Sequence, residues 1–367
     1  MNIPFIDLTE EFNKLQEEWF ASIKETGNSG RFILGPNVQA FEKECAEYVG
    51  TRYAVSVANG TDALTLSLRS LGLGDGGEII TSPFSFFASS ECINHVGATP
   101  VFADIDEHSF NISAETIEPV ITDRTKAIIP VHIFGQPADM TAINALADKH
   151  NLTVIEDAAQ AFGASIGTKL TGSFGSTGCF SFYPTKILGC YGDGGIITTD
   201  SQDIVEKLHR LRNHGAIRPF VHAETGYNSR LDEIQASLLR IKLKKVGIDI
   251  AARQRIAALY SEQLKDTDII PPSSTEGTQH VYNLYTIRLT ENRDSVRQVL
   301  SDNNIPTSQC YPEPLSMQPV YKSLGYKKED TPVCEMLTQQ TLSLPVYPAM
   351  TDEMIEYITS TIKQAIS

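Results

Sequence analysis

The feature that most constrains the fold is an alternation of short apolar segments with amphipathic helical segments between residues 53 and 200. Several of the apolar segments have no polar face, which is typical of strands buried on both sides of a sheet. Helical segments between such strands predict an α/β fold with a mostly parallel sheet covered by helices. The predicted strands are YAVSVANG (53–60), EIITSPFSFF (78–87), PVFADID (100–106), TKAIIPVHIFG (125–135), LTVIEDAA (152–159), CFSFYP (179–184) and GGIITTD (194–200).

The segments on either side of this region have a different pattern. Residues 8–24 have the apolar spacing of an amphipathic helix, and Pro36 is placed to begin the next one. Residues 231–264 predict one or two long helices, and a strand and two further helices follow. We therefore predict a large domain over residues 1–250, which includes an N-terminal helical segment, and a smaller C-terminal α+β domain over residues 251–367.

Composition excludes several classes of function. The net charge of −15 argues against a nucleic-acid partner, because no basic stripe is available to neutralise phosphates. No apolar run approaches the roughly 20 residues of a membrane span, and the N-terminus has no secretory signal pattern, so we expect a cytoplasmic protein. The six cysteines are scattered without a CxxC pair, which predicts neither a disulfide framework nor a metal site.

Polar residues of chemical interest follow the predicted strands, where parallel sheets bind ligands. In ANGTDAL (58–64) a strand ends and a helix begins at Thr61 or Asp62, so the first helical N–H groups and the Thr61 hydroxyl form an anion site. The alternative is an ordinary capped turn. Asp157 closes a buried strand in IEDAAQ, where a carboxylate requires a partner such as a protonated pyridine nitrogen, an arginine or a helix start.

Lys186 lies between the apolar run CFSFYP and the glycines of YGDGG. Partial burial lowers the pKa of an amine and makes it a nucleophile, whereas the alternative is a surface lysine on a loop. A dinucleotide-binding loop does not fit, because YGDGG precedes a strand and does not open a helix. In combination, an anion turn, the aromatic Phe86, Asp157, Ser181 and Lys186 are the groups that pyridoxal phosphate requires.

The chain resembles the DegT/DnrJ/EryC1/StrS sugar aminotransferases, which are fold-type I pyridoxal-phosphate enzymes. The resemblance runs from the first residues to about residue 245 in many motifs that occur in one order. The matching segments are IPFIDL, GRFILGP, ANGTDAL, ITSPFSFFAS, PVFADID, TKAIIPVHIFGQPADM, VIEDAAQAFGA, FSFYPTKILGCYGDGG and GYNSRLDEIQASLL.

This resemblance implies a role for each matching residue. Lys186 forms the Schiff base with the cofactor and then moves protons, and Asp157 holds the ring nitrogen. Phe86 stacks on the ring, and Gln160 lies near its hydroxyl group. The phosphate-binding residues are Gly60, Thr61 and Ser181, with Asn228 from the neighbouring subunit. The last role implies a homodimer with active sites shared across the interface, whereas Asn228 or Ser229 as a plain helix N-cap is the alternative.

The resemblance also implies glutamate as the amino donor and a nucleotide-linked keto sugar as the acceptor. The segments around Lys186 are most similar to enzymes that aminate the 3-position of a UDP-linked 3-oxo-N-acetylhexosaminuronate. Residues expected near the substrate are Arg230, Phe32 in GRFILGP, and Cys310 and Tyr311 in SQCYPEPL. Close relatives commonly have a histidine where Cys310 stands, so a dTDP- or UDP-linked 3- or 4-keto-6-deoxy sugar is the alternative.

Three competing functions have less support from the sequence. Relatives that dehydrate a sugar commonly replace the lysine by histidine, whereas Lys186 is present here. A sensor protein that retains the fold is a further alternative, but no basic helix-turn-helix segment or long added tail is visible. A nicotinamide-dependent dehydrogenase lacks its GxGxxG motif at a helix start.

Overall fold

The computed structural model describes residues 3–366 as alternating strands and helices. The strands are β1 (Tyr53–Val57), β2 (Glu78–Thr81), β3 (Thr99–Phe102), β4 (Thr125–Ile129), β5 (Thr153–Asp157), β6 (Ser165–Ile166), β7 (Lys169–Leu170), β8 (Thr177–Ser181), β9 (Gly195–Thr199), β10 (Ala216–Arg218), β11 (Val221–His222), β12 (Thr278–Gln279), β13 (Tyr285–Arg288) and β14 (Thr341–Leu344). The α-helices are α1 (Leu8–Ser29), α2 (Pro36–Val49), α3 (Gly60–Ser70), α4 (Ala88–His95), α5 (Ala114–Ile117), α6 (Met140–His150), α7 (Gln202–Leu211), α8 (Glu233–Leu243), α9 (Val246–Leu264), α10 (Arg293–Asp302), α11 (Pro332–Gln340) and α12 (Asp352–Ile366). Short 3₁₀ turns cover Glu118–Val120, Ile133–Gly135, Leu315–Met317, Pro319–Leu324 and Lys328–Asp330.

Seven strands form the central sheet in the order β1-β9-β8-β5-β4-β2-β3. The neighbours among β8, β5, β4, β2 and β3 pair in parallel, whereas β9 is antiparallel to both β1 and β8. The predicted α/β fold with a mostly parallel sheet is therefore confirmed. Six of its strands end at the same edge, where the polar segments singled out in the sequence begin.

Both faces of the sheet are covered by apolar side chains. On β1, Val55 and Val57 pack in one cluster with Leu64 of α3. Ala54 points to the other face, where its cluster includes Phe41 of α2. This alternation along one strand shows why the strand has no polar face, because each side chain meets a helix on its own side of the sheet.

The strands are shorter than the sequence predicted, and proline explains the two largest differences. β2 ends at Thr81, and the remaining residues of EIITSPFSFF lead into α4 through Pro83. β4 ends at Ile129, immediately before Pro130. Proline has no backbone N–H to donate to a neighbouring strand, so it ends regular pairing. The residues after each proline are consequently free to turn toward the ligand-binding edge.

Helix α9 connects the central sheet with the C-terminal part of the chain. Its residues Val246 and Ile250 pack in the same apolar cluster as α2 and α8. Ile256 and Tyr260, on later turns, belong to a separate cluster that includes β13, β14 and α12. The predicted domain boundary at residue 250 therefore lies within a continuous helix, and the division into two domains stays a prediction. None of the helices in residues 3–366 combines the length and apolar character that crossing a membrane requires.

The start of α2 depends on a side chain from a distant helix. Pro36 is the first helical residue, as predicted, but the N-cap residue Gly35 has no side chain to accept the first helical N–H groups. The fully buried Glu233 of α8 accepts them instead, from Asn37 and Val38, both at 2.9 Å. A Cβ at Gly35 would lie 2.9 Å from the Glu233 side chain, so glycine leaves the space that the carboxylate occupies.

We expect Glu233→Ala to destabilise the chain by about 2–3 kcal/mol, because two buried N–H groups lose a charged acceptor. The midpoint of denaturant unfolding, followed by circular dichroism, measures the change. Glu206→Ala, a substitution on the exposed side of α7, is the matched control and should leave the midpoint unchanged. Equal midpoints for the two variants would contradict the capping role.

Candidate active site

A cavity of about 700 Å³ opens at the carboxyl ends of β1, β5 and β8, where α3 and α4 begin. Its volume is in the range of small-molecule sites, and apolar and ionisable side chains face it together. The lining residues are Asn59, Gly60, Thr61, Asp62, Leu64, Ser85, Phe86, Ala88, Ser89, Glu91, His95, Val131, Asp157, Ala159, Gln160, Ser181, Tyr183, Thr185, Lys186, Asp193 and Tyr311.

The start of α3 supplies hydrogen-bond donors to this cavity. The Asn59 side chain caps the helix by accepting the Asp62 N–H at 2.8 Å. Within residues 3–366, the N–H groups of Gly60 and Thr61 have no acceptor. A Cβ at Gly60 would lie 2.7 Å from Ser181 Cβ, so only glycine allows the helix start to approach β8 this closely. The geometry is that of an anion site.

Asp157 is the last residue of β5 and is 5% exposed. Its Oδ2 accepts the Ser89 hydroxyl at 2.7 Å, and its Oδ1 accepts the Ala159 N–H at 3.1 Å. The backbone N–H of Asp157 donates to Pro130 O at 2.9 Å, which extends the pairing of β5 beyond β4. The carboxylate is consequently held at a fixed place on the cavity wall.

The neighbouring Glu156 has a different environment. It is fully buried and accepts three backbone N–H groups of the loop 172–175 at 2.6–2.8 Å. His132 Nε2 lies 3.0 Å from Glu156 Oε2, and His132 Nδ1 accepts the Ala138 N–H at 3.0 Å, so Nε2 carries the imidazole hydrogen. Glu156 therefore organises loops behind the sheet edge, and of the two adjacent carboxylates only Asp157 lines the cavity.

Lys186 lies in the loop after β8, and its backbone N–H donates to Tyr183 O at 2.9 Å. Its side-chain amine makes no hydrogen bond and no ion pair with any residue of the described chain. Burial lowers the pKa of this amine, and the negative charge of Asp157 opposes the shift. The result is an amine that loses its proton more easily than an exposed lysine does.

Gln160 and Tyr311 form another part of the cavity wall, separate from the anion site at the start of α3. Gln160 Oε1 accepts the Phe134 N–H at 2.8 Å, and Gln160 Nε2 donates to the Tyr311 hydroxyl at 2.9 Å. Burial raises the pKa of the Tyr311 phenol, so the hydroxyl keeps its proton at neutral pH. Its oxygen accepts from Gln160, which leaves its hydrogen available to a group in the cavity.

Most of the residues predicted from the sequence lie together at this cavity. The Phe86 ring is 60% exposed on the cavity wall, which leaves a face available for stacking. Cys310 does not line the cavity, but it lies next to Tyr311, and its thiol is 3.2 Å from the Ser308 hydroxyl. The predicted residues that line the cavity are Gly60, Thr61, Phe86, Asp157, Gln160, Ser181, Lys186 and Tyr311.

Besides Cys310, three predicted residues lie outside the cavity lining of this chain. Phe32 and Asn228 are exposed, and Arg230 Nη1 donates to Asn213 Oδ1 at 2.8 Å. Asn228 does not cap a helix, because α8 begins at Glu233 after the N-cap residue Asp232. Their proposed contacts with a neighbouring subunit or a substrate stay predictions.

Two buried serines and one tyrosine of the cavity wall were not predicted from the sequence. Ser85 and Ser89 lie on either side of Phe86, and Ser89 bonds directly to Asp157. The sequence pattern that could have indicated them is the run SFFASS (85–90), in which the two serines are four residues apart near the start of a helix. Tyr183, two residues after Ser181, is 53% exposed and lines the cavity.

A family model described as the DegT/DnrJ/EryC1/StrS aminotransferase family matches residues 13–363. The chain belongs to this family. A relative from Acidithiobacillus ferrooxidans, named UDP-N-acetyl-3-dehydro-alpha-D-glucosamine 3-aminotransferase, is 42% identical over 99% of this chain and 98% of its own. A relative from Pseudomonas aeruginosa, named UDP-2-acetamido-2-deoxy-3-oxo-D-glucuronate aminotransferase, is 41% identical over 98% and 99%. A Geobacillus stearothermophilus relative with 41% identity over 99% and 98% is named a pleiotropic regulatory protein.

Solved structures agree with this assignment. The crystal structure of S. venezuelae DesV superposes with a TM-score of 0.97 at 38% identity and covers 100% of this chain and 99% of its own. A putative sugar aminotransferase of Streptococcus pneumoniae, solved in its PLP form, has a TM-score of 0.92 at 26% identity, with coverage of 100% and 98%. The protein is thus a pyridoxal-phosphate-dependent aminotransferase of the DegT/DnrJ/EryC1/StrS family, with the fold-type I architecture expected from its sequence.

The residues at the cavity fit this cofactor. The free N–H groups at the start of α3 and the hydroxyls of Thr61 and Ser181 would hold the phosphate. The Asp157 carboxylate would hold the protonated ring nitrogen, and Phe86 offers its exposed face to the ring. When bound, pyridoxal phosphate supplies an aldehyde that condenses with amines and a ring that delocalises negative charge. Lys186 provides an amine on the same cavity wall as Asp157, and its Nζ can accept or return a proton.

The lowered pKa of Lys186 predicts how its reactivity depends on pH. In the cofactor-free chain, condensation with pyridoxal phosphate should speed up with rising pH and level off below the ordinary lysine pKa of about 10.4, because the neutral amine is the nucleophile. Borohydride trapping and peptide mass spectrometry measure labelling at Lys186 as a function of pH. Labelling of the exposed Lys43 in the same sample controls for loss of reagent. A half-maximum at or above the ordinary value would contradict the effect of burial.

Proposed function

We propose that the chain transfers an amino group from glutamate to the 3-position of a UDP-linked 3-oxo sugar, in two half-reactions that share one site. The observation that carries the proposal is an amine without a partner, Lys186, in the same cavity as Asp157 and the anion site of α3. Relatives that span nearly the whole chain are named as aminotransferases of such sugars, which supports the acceptor class. A dTDP- or UDP-linked 3- or 4-keto-6-deoxy sugar is the alternative acceptor.

In each half-reaction the residues of the chain position groups and move protons. Lys186 takes a proton from one carbon and returns it to another, which requires that its amine be neutral for part of the cycle. Tyr311 has a hydroxyl hydrogen to donate toward the reacting groups, and Gln160 holds its oxygen. The Asp157 carboxylate would hold the protonated ring nitrogen of the cofactor, which would keep the ring able to accept electrons.

The cavity lining of one chain does not provide the charges that a nucleotide diphosphate needs. Asp62, Glu91 and Asp193 are acidic, and Lys186 is the one lysine or arginine among the described lining residues. Binding of a diphosphate requires cations or N–H donors beyond those of the cofactor site. We infer that these come from a second copy of the chain in a homodimer with shared sites.

The surface around Asn228 supports this homodimer. The exposed apolar side chains of Phe32, Ile33, Ile217 and Phe220 lie on neighbouring segments, and Phe220 at the tip of the β10–β11 hairpin is 98% exposed. One isolated β-bridge joins residue 33 to residue 232, and another joins residue 213, just before β10, to residue 228. Exposed apolar side chains grouped in this way are typical of interaction surfaces. Asn228 is exposed on a segment next to this surface, and we expect it to extend into the cavity of the partner subunit.

A regulatory function is the second candidate, since one similar protein is named a pleiotropic regulatory protein. Retention of Lys186, Asp157 and the free N–H groups of α3 favours catalysis, because a sensor needs no nucleophilic amine. A cytoplasmic location stays a prediction of the sequence.

Purified protein with pyridoxal phosphate should react with glutamate alone, seen as loss of the absorption band of the bound cofactor and formation of 2-oxoglutarate. A UDP-linked 3-oxo sugar should then be aminated, as measured by mass spectrometry, faster than dTDP-linked 4-keto sugars. Lys186→Ala should retain the wild-type circular dichroism but lose at least about 10²–10⁴-fold in transfer rate, since its proton transfers are removed. Unimpaired turnover in this variant would overturn the assignment, and a cofactor band that does not respond to any amino donor would favour the regulatory function.

Shared sites predict complementation between two inactive variants. We expect Lys186→Ala and Asn228→Ala homodimers, mixed under exchange conditions, to recover roughly a quarter of wild-type activity, because half of the dimers are mixed and each has one intact site. If Asn228 served the site of its own chain, the mixture would show only the average of the two parent activities. A mixture of Lys186→Ala with wild type, which forms no additional intact site, is the control for exchange.

A further inference from the structure

Two buried serines connect α4 to the Asp157 carboxylate. Ser89 is 1% exposed and Ser85 is 2% exposed, and both contribute to the cavity wall. Their hydroxyl oxygens are 2.7 Å apart, and Ser89 Oγ is 2.7 Å from Asp157 Oδ2. These separations are typical of O–H···O hydrogen bonds, so the three side chains form one connected group.

The chemistry of the three groups fixes the direction of both hydrogen bonds. An ionised carboxylate can only accept, so the single hydroxyl hydrogen of Ser89 is donated to Asp157. Ser89 has then no hydrogen left for Ser85, so Ser85 must donate to Ser89. The order of donation is from Ser85 to Ser89 to Asp157, and each bond polarises the next.

The same short segment also places the aromatic ring of the site. Phe86 lies between the two serines, and α4 begins two residues later, at Ala88. Movement of this helix start would shift the stacking ring and the donor to Asp157 together. Ser89 therefore links the position of the Asp157 carboxylate to that of the Phe86 ring, because the two residues lie three positions apart in one short segment.

We propose that Ser89, held in place by Ser85, is a positioning residue that orients the Asp157 carboxylate and stabilises its charge through a hydrogen bond, and so sets how tightly the chain holds the protonated ring of pyridoxal phosphate. The proposal rests on the role of Asp157 as the partner of the ring nitrogen. A hydrogen bond donated to a carboxylate favours its charged form, and the charged form is the one that binds a pyridinium nitrogen. Removal of the hydroxyl therefore weakens cofactor binding without removing a group that contacts the cofactor phosphate.

The test compares two neighbouring serines of α4. Ser89→Ala should raise the dissociation constant for pyridoxal phosphate about 10- to 100-fold, as expected for the loss of a hydrogen bond to a charged group. Ser90→Ala is the matched control, because Ser90 is equally buried but its hydroxyl donates to Phe87 O at 3.1 Å. This control should leave the dissociation constant close to the wild-type value. Equal effects of the two substitutions would overturn the proposal.

The effect of Ser89→Ala should disappear when Asp157 is already neutral. In an Asp157→Asn background, Ser89→Ala should change the dissociation constant by no more than about twofold, because the group through which Ser89 acts has lost its charge. A loss as large as in the wild-type background would show that Ser89 acts on the fold alone, which would overturn the proposal. Thermal unfolding of the cofactor-free variants measures any general destabilisation separately.

Two further variants distinguish a hydrogen bond from packing. Ser89→Thr keeps the hydroxyl and should retain most of the affinity lost in Ser89→Ala, whereas Ser85→Ala should have a smaller effect of the same sign, because it removes only the donor to Ser89. If Ser89→Thr folds but binds the cofactor no better than Ser89→Ala, the hydroxyl is not the active feature and the proposal fails. Turnover with glutamate can stay measurable in all of these variants, so failure of the proposed acceptor would be seen independently.

Discussion

A carboxylate held at the end of a buried strand is the interaction on which the rest of the site depends. Asp157 is nearly inaccessible, and its carboxylate accepts hydrogen bonds from the Ser89 hydroxyl and the Ala159 N–H, which offset the loss of contact with water. The pairing of β5 with β8 fixes the backbone on one side, and the bond to Pro130 O fixes it on the other. The sheet thus supports a charge that faces inward, toward a ligand.

The strand also separates two carboxylates by function. Side chains alternate across a strand, so the adjacent Glu156 points away from the cavity. There it accepts backbone N–H groups of the loop 172–175 and holds His132. Of these two adjacent carboxylates, Asp157 therefore faces the ligand cavity, whereas Glu156 holds a loop of the fold. A shift of register in β5 would exchange the two environments and destroy both the loop and the site.

The sequence predicted the parts of the site whose chemistry lies in short contiguous motifs. Gly60 and Asp157 lie near the ends of predicted strands and Lys186 follows one, and the order of their motifs identified the family and the cofactor. The role of Ser89 could not be predicted in this way, because its bond to Asp157 joins residues 68 positions apart. The same limit applies to Glu233, which caps a helix 195 residues away, at Val38. Contacts of this kind follow from tertiary packing and leave no local pattern.

The ends of elements were harder to predict than their existence, and the cavity explains why. The residues after Thr81 and Ile129 are apolar enough to continue a strand, but the prolines that follow interrupt backbone pairing. The chain then turns at the ligand-binding edge, where Phe86 is presented with an exposed face. An apolar residue at such a place contacts a ligand and does not pack in the core. Hydrophobicity alone does not distinguish a ligand-contacting residue from a core residue.

The pKa of Lys186 reflects two opposing requirements of the site. Burial favours the neutral amine that condenses with an aldehyde, whereas the nearby charge of Asp157 favours the ammonium form. Because the pKa of Lys186 is lowered overall, the effect of burial on this pKa is larger than the opposing effect of the Asp157 charge. Each hydrogen bond that Asp157 accepts disperses its charge over fixed dipoles, which allows a buried carboxylate to coexist with a partly buried amine of lowered pKa. The arrangement around Ser89, Asp157 and Lys186 therefore places a hydrogen-bonded carboxylate and an amine of lowered pKa on the wall of one cavity, and transfer of an amino group requires both.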